Sequence, residues 1–311
     1  MRKDRQEPSI LTSRNLIKNL SSHSRAACSL LLLISILLSS CGRNRTTEPS
    51  GQVFTDELGH EVRIDKTPER IISLAPSLTE TLFALGLGNR VVGVTTYCDY
   101  PPEAAEKEKV GDTLKPSLER IIALKPDLVI VSTSSQLEDY IQRIEAAGIA
   151  VYISNPRNIE QSLTSIERIG DITGAIPQSR ELVAGLRRRV ESVEARVANL
   201  GRPRVLIILG GEPLITIGGD SFINDLIEVS GGRSVSAEEK ADYPQYSLET
   251  AIARKPEIIF LQAGDARLPE RLNQTPAARS GRVYSLDDAL ILRPGPRIVE
   301  GLELMASKIH P

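Results

Sequence analysis

The side chains able to do chemistry are few, and their spacing excludes more than it offers. Gly219-Asp220-Ser221-Phe222 could present a serine nucleophile, but a triad needs a histidine base and no Asp-x-x-His segment follows it. Ser221 therefore reads as the N-cap of a helix after a turn. Beyond the first 40 residues the histidines are His60 and His310, far apart in the chain, and no Cys/His/Asp/Glu spacing suggests a metal site. Gly86-Leu87-Gly88 lacks a third glycine and reads as a helix stop. Cys98 has neither a histidine nor a basic residue beside it, so a small, half-buried thiol is expected. No catalytic residue, cofactor or metal is expected, and the chain is not expected to be an enzyme.

What does recur is a carboxylate in a repeated frame. Ser117-Leu118-Glu119-Arg120-Ile121-Ile122-Ala123-Leu124-Lys125-Pro126-Asp127-Leu128-Val129-Ile130 aligns without gaps on Ser247-Leu248-Glu249-Thr250-Ala251-Ile252-Ala253-Arg254-Lys255-Pro256-Glu257-Ile258-Ile259-Phe260. Each copy predicts a capped helix, a Lys-Pro turn and a buried strand. Glu119 and Glu249 fall in the first turn of their helices, where a carboxylate also complements the helix dipole.

The elements that must position these residues alternate. A hairpin is expected over 53–66, followed by strands near 71–74, 91–95, 128–132 and 149–153. Helices interleave from a Ser77-x-x-Glu80 capping box, at 117–124, 136–147 and 158–173. From Pro177 to Leu200, Val183, Leu186, Val190, Val193, Val197 and Leu200 recur at three- and four-residue steps, the mark of one long amphipathic helix. A second α/β series follows it, with strands at 205–209, 258–261 and 282–285. The expected fold is α/β, two similar lobes (53–176 and 201–311) joined by a linking helix (177–200), with a ligand cleft between them. Loops after the strand ends, near Leu74, Val94, Val131, Leu209 and Leu286, should face that cleft.

Residues 1–40 form a basic stretch and an apolar run, Ala26 to Leu38, before Ser39-Ser40-Cys41-Gly42. A run of thirteen residues is short for a span, so an export signal is expected, resembling that of a bacterial lipoprotein with Cys41 lipidated and a tether over 41–52. Past the leader the chain holds 32 basic and 38 acidic residues. That mild acidity gives no electrostatic reason to expect nucleic acid as a partner.

In five segments the sequence resembles the helical-hinge periplasmic binding proteins that deliver cobalamin, ferric siderophores and haem to ABC importers. These are Arg70 to Ser77 with Thr79-Glu80, Tyr97-Cys98-Asp99-Tyr100-Pro101-Pro102, the two Ser-Leu-Glu copies, and Arg293-Pro294-Gly295-Pro296-Arg297. The resemblance implies a monomer outside the cytoplasm, docked on permease arginines through Glu119 and Glu249. It also implies ligand contacts at Tyr97, Arg293 and Asp288, with Thr133 and Tyr243 in the cleft. The segment from Tyr97 to Pro102 is most similar to the cobalamin-binding members, so a corrinoid is the expected ligand. Where such members carry tryptophan this chain has Thr113, Thr133 and Tyr243, and it has no tryptophan. Siderophore and haem therefore stay open as ligands, with tyrosine the available haem-iron ligand.

Overall fold

The computed structural model describes residues 51–132, 138–264 and 267–311. Cys41, its tether and Thr133 lie outside the described residues. Chain order begins with a hairpin, β1 (Gln52–Thr55) and β2 (Glu61–Ile64), paired antiparallel as its alternation predicts. There follow β3 (Ile71–Ser73), α1 (Pro76–Ala84), β4 (Val91–Val94), α2 (Pro102–Ala105), α3 (Leu118–Ala123), β5 (Leu128–Ser132), α4 (Glu138–Ala146), β6 (Ala150–Ser154), α5 (Ile159–Thr173) and α6 (Ile176–Val197). The second series is β7 (Arg204–Ile208), a short hairpin β8 (Gly210–Gly211) and β9 (Leu214–Ile215), α7 (Phe222–Val229) and β10 (Arg233–Ser234). It continues through α8 (Leu248–Ala253), β11 (Ile258–Gln262), α9 (Pro276–Arg279), β12 (Val283–Leu286), α10 (Asp288–Ile291) and α11 (Ile298–Ile309).

The two lobes repeat one topology. Their parallel sheets run β4-β3-β5-β6 and β10-β7-β11-β12, each with its first strand second in order. In both, the chain reverses direction across the sheet beside that strand, so the crevice at the carboxyl ends of β3/β5 and β7/β11 is where such sheets bind ligands. Strands covered on both faces must be apolar throughout, and Leu128 to Val131 and Ile258 to Phe260 are fully buried.

The sequence repeat is carried down to the hydrogen bonds. Ser117 caps α3 and Ser247 caps α8, each through its hydroxyl to the backbone N–H three residues on. Lys125 and Lys255 both adopt left-handed φ, +46° and +49°, to turn the helix into the following proline. An arginine then fastens each corner: Arg70 Nε donates to the carbonyls of Leu124 and Lys125, and Arg204 Nε to that of Lys255. A left-handed L-residue costs roughly 1–2 kcal/mol, while glycine loses about 0.5–1 kcal/mol more chain entropy than alanine on folding. Lys125→Gly and Lys255→Gly are accordingly expected to raise the unfolding free energy by about 0.5–1 kcal/mol each, measured by urea denaturation.

Helix α6 spans 22 residues, about 33 Å at 1.5 Å per residue. It packs on α5 and α11 through Val183, Leu186, Val193 and Val197, all buried. The expected end at Leu200 is three residues too far: the helix stops at Val197, and Leu200 is 46% exposed. Among the described residues no helix is long and apolar enough to cross a membrane.

Candidate functional site

Helix α1 does not begin as its capping-box pattern predicts. Proline is favoured at the first helical position, and Pro76 takes it, so the helix starts two residues earlier with Ala75 as an N-cap that makes no side-chain bond. Ser77 is thereby inside the helix, and Glu80 is free of any capping role. Instead Glu80, 3% exposed, accepts from Arg293 Nη1 at 2.9 Å, with Arg297 Nη1 at 3.8 Å. Its second oxygen is buried without a partner among the described residues. Burial raises the Glu80 pKa against the opposing pull of Arg293 and Arg297.

The same guanidinium of Arg293 also holds Asp99, through Nη1 at 2.6 Å and Nη2 at 3.3 Å. That hydrogen bond lowers the Asp99 pKa despite partial burial. Arg297 lies over the Tyr100 ring, 4.2 Å from its centroid. Since Glu80, Asp99 and Tyr100 belong to the N-terminal lobe, and Arg293 and Arg297 to the turn between α10 and α11, this cluster joins the lobes. The backbone comes close here as well: a Cβ on Gly295 would sit 3.0 Å from the Ser77 carbonyl.

Tyr97 stands on the loop after β4 and is 61% exposed. Its neighbour Cys98 explains how the loop is held. The thiol is buried, and its Sγ lies 3.1 Å from the hydroxyls of both Thr79 and Thr95. Thr96 N–H donates to the Gly111 carbonyl, and Lys109 Nζ to the Cys98 carbonyl. A buried thiol bound by two hydroxyls anchors Tyr97 and is sheltered from reagents.

On the other lobe Tyr243 is 49% exposed, and desolvation, with the Asp242 charge second, raises its phenol pKa. Asp242 pairs across the lobes with Arg157 Nη1 at 2.9 Å. A second cross-lobe bond runs from Ile159 N–H to Asp225 Oδ2 at 2.8 Å. Asp288 is turned into its own lobe: one carboxylate oxygen accepts from Gln262 Nε2 at 2.7 Å, and the other is buried without a partner among the described residues. Thus Tyr97 and Tyr243 are presented to solvent, Arg293 is engaged by two carboxylates, and Asp288 is tied to the end of β11.

Glu119 and Glu249 are both exposed in the first turns of α3 and α8. They are not equivalent. Glu249 accepts from Arg271 Nη1 at 2.6 Å and from Ser247 Oγ at 3.1 Å, and the Arg271 bond lowers its pKa. Glu119 has no ion-pair partner among the described residues. Sequence reasoning missed the roles of Glu80, Asp99 and Arg157. Glu80 and Asp99 lay inside segments already singled out, whereas Arg157 carried no signal.

A family model described as periplasmic binding protein matches residues 71–290. An uncharacterised ABC transporter substrate-binding lipoprotein of Bacillus subtilis, YvrC, is 32% identical over 301 residues, covering 90% of this chain and 95% of the relative. A vitamin B12-binding protein of Vibrio parahaemolyticus is 32% identical over 238 residues, 75% of this chain and 86% of the relative. The solved structure of the periplasmic haem-binding protein RhuT from Roseiflexus sp. RS-1 superimposes with a TM-score of 0.71 at 27% identity, over 78% of this chain and 98% of that one.

Proposed function

We propose, because this chain belongs to the periplasmic binding protein family, that it captures a corrinoid outside the cytoplasm and hands it to the permease of an ABC importer without chemical turnover. The observation that most supports a large, ring-bearing ligand is the presence of an exposed tyrosine on each lobe, Tyr97 and Tyr243, on loops near the cleft. A tyrosine can lie flat on a ring and also hydrogen-bond at its edge. The similarity to a vitamin B12-binding protein, together with the segment from Tyr97 to Pro102, favours a corrinoid. The match in shape to a haem-binding protein supports haem as the second reading, with a tyrosine as iron ligand.

Titration of the purified protein with cyanocobalamin, cobinamide, haemin and a ferric hydroxamate separates these readings. Corrinoid binding at micromolar concentrations or below is expected; tight binding of an iron complex with no corrinoid binding would overturn the choice of ligand. Stacking on the ring predicts that Tyr97→Ala weakens binding by about 0.5–1.5 kcal/mol beyond the lost contact area, and Tyr97→Phe by less.

The protein is taken to act as a monomer held to the membrane through lipidated Cys41, with 41–52 as slack. The small residues before Cys41 and the similarity to a lipoprotein support this. Cys41→Ser should move the protein from the membrane pellet to the soluble fraction; an unchanged pellet speaks against the anchor. Glu119 and Glu249, at matching places on two lobes of one topology, are the proposed permease contacts.

A further inference from the structure

Besides Arg297, which approaches the buried Glu80, two guanidiniums reach across to a solvent-exposed carboxylate of the opposite lobe. Arg293 of the C-terminal lobe reaches Asp99 of the N-terminal lobe, and Arg157 of the N-terminal lobe reaches Asp242 of the C-terminal lobe. The arrangement is reciprocal. Each carboxylate also stands beside one of the exposed tyrosines: Tyr97 precedes Asp99 by two residues, and Tyr243 follows Asp242.

These pairs differ in kind from the Arg293–Glu80 contact. Glu80 has a side chain 2% exposed and stays with Arg293. The Asp99 and Asp242 side chains are 66% and 41% exposed, so water can solvate either carboxylate once it lets go, whereas the Arg293 side chain, 18% exposed, still needs an anionic partner. A solvated internal partner is exchangeable. A phosphate or carboxylate from a ligand offers a guanidinium the same paired acceptor oxygens that Asp99 offers Arg293. With Asp99 displaced, Glu80 would still hold the guanidinium in place.

We propose that Asp99 and Asp242 are built-in stand-ins for anionic groups on the ligand's edge, so that the cleft selects a ring-bearing ligand whose phosphate or carboxylate groups exchange onto Arg293 and Arg157. The proposal rests on reading the cleft as the ligand site and adds the chemical class of the ligand's periphery. It makes Arg157 a second recognition residue, opposite Arg293, and gives two acidic residues a part in specificity.

The test begins with inorganic pyrophosphate as the anion. Phenylglyoxal modification of the full chain is followed at Arg157 and Arg293 by peptide mass spectrometry, in the wild type and in Asp99→Asn and Asp242→Asn, substitutions that keep shape and remove charge. Pyrophosphate should protect Arg293 at about fivefold lower concentration in Asp99→Asn, and Arg157 likewise in Asp242→Asn, each variant leaving the other arginine at its wild-type value. Protection at the same concentration in all three proteins overturns the proposal, whatever larger ligands do. Cyanocobalamin, which carries a phosphodiester, should then bind more tightly to Asp99→Asn or Asp242→Asn than to the wild type, while dicyanocobinamide, which lacks that group, binds all three alike. Pyrophosphate shifts as expected but no binding of cyanocobalamin, dicyanocobinamide or haemin would sink the ligand class proposed above and leave the exchange standing.

Discussion

Glu80→Ala is expected to lower the unfolding free energy by about 3 kcal/mol, a loss usually seen only for a buried core residue. Breaking a buried ion pair by removing one partner costs about 3–5 kcal/mol, because the surviving charge is left in a poorly solvating place. The lower end applies here, since Arg293 keeps Asp99 and Arg297 keeps Glu300 at 3.9 Å. Glu80→Gln retains the shape and one acceptor and should cost less. Direction with pH follows from burial. Because the folded state raises the Glu80 pKa, folded Glu80 holds its proton more tightly than the unfolded chain does, and its contribution to stability falls as pH rises from the ordinary carboxylate range to the raised value. Glu80→Gln should lose that part of the pH profile. Urea denaturation of the three proteins between pH 4 and pH 8 measures both effects; a Glu80→Ala variant as stable as the wild type would mean that the lobes are not joined through this residue.

The second large effect is on transport. Glu119→Ala should reduce corrinoid uptake by roughly thirtyfold or more in cells carrying the native permease, because an interface arginine left without its carboxylate stays desolvated and unpaired. Glu249→Ala should also reduce uptake, but its background differs. Arg271 already neutralises Glu249, so docking there has to exchange one arginine for another, whereas the Glu119 carboxylate is paired with no described group. Arg271→Ala should therefore leave uptake intact or raise it. Ligand affinity by calorimetry should be unchanged in all three variants. Unimpaired uptake in the Glu119→Ala, Glu249→Ala double variant would remove these residues from the docking surface.

Fold was legible where one physical requirement dominates a run of residues. Strands buried on both faces must be apolar, which exposed β3, β5 and β11, and the three- and four-residue recurrence of valine and leucine exposed α6. The gapless repeat foretold two lobes of one topology, since each copy contributes its own cap, turn and central strand. Short elements escaped. The β8–β9 hairpin has two residues per strand, and α9 and α10 have four residues each, too few for any periodicity.

The candidate site was legible only in part. Tyr97 could be placed because its loop follows β4, whereas Tyr243 came only from the family resemblance. Glu80 was misread because the Ser-x-x-Glu spacing is satisfied locally, while Pro76 shifts the helix start by two residues. The pairing of Asp99 with Arg293 joins groups 194 residues apart, and that of Arg157 with Asp242 groups 85 apart. No local pattern encodes partners so distant, because each pair is created by how the lobes meet.

A connecting helix wound without interruption from Ile176 to Val197 sets the tempo of capture as well as the shape of the molecule. Such a helix resists wide swinging of the lobes, so only a small opening step is expected before a ligand enters. Encounter is then governed by diffusion and orientation, which vary little among ligands of similar size, and discrimination falls on residence time. Competing ring-bearing molecules should enter at similar rates and be sorted by how soon each one leaves.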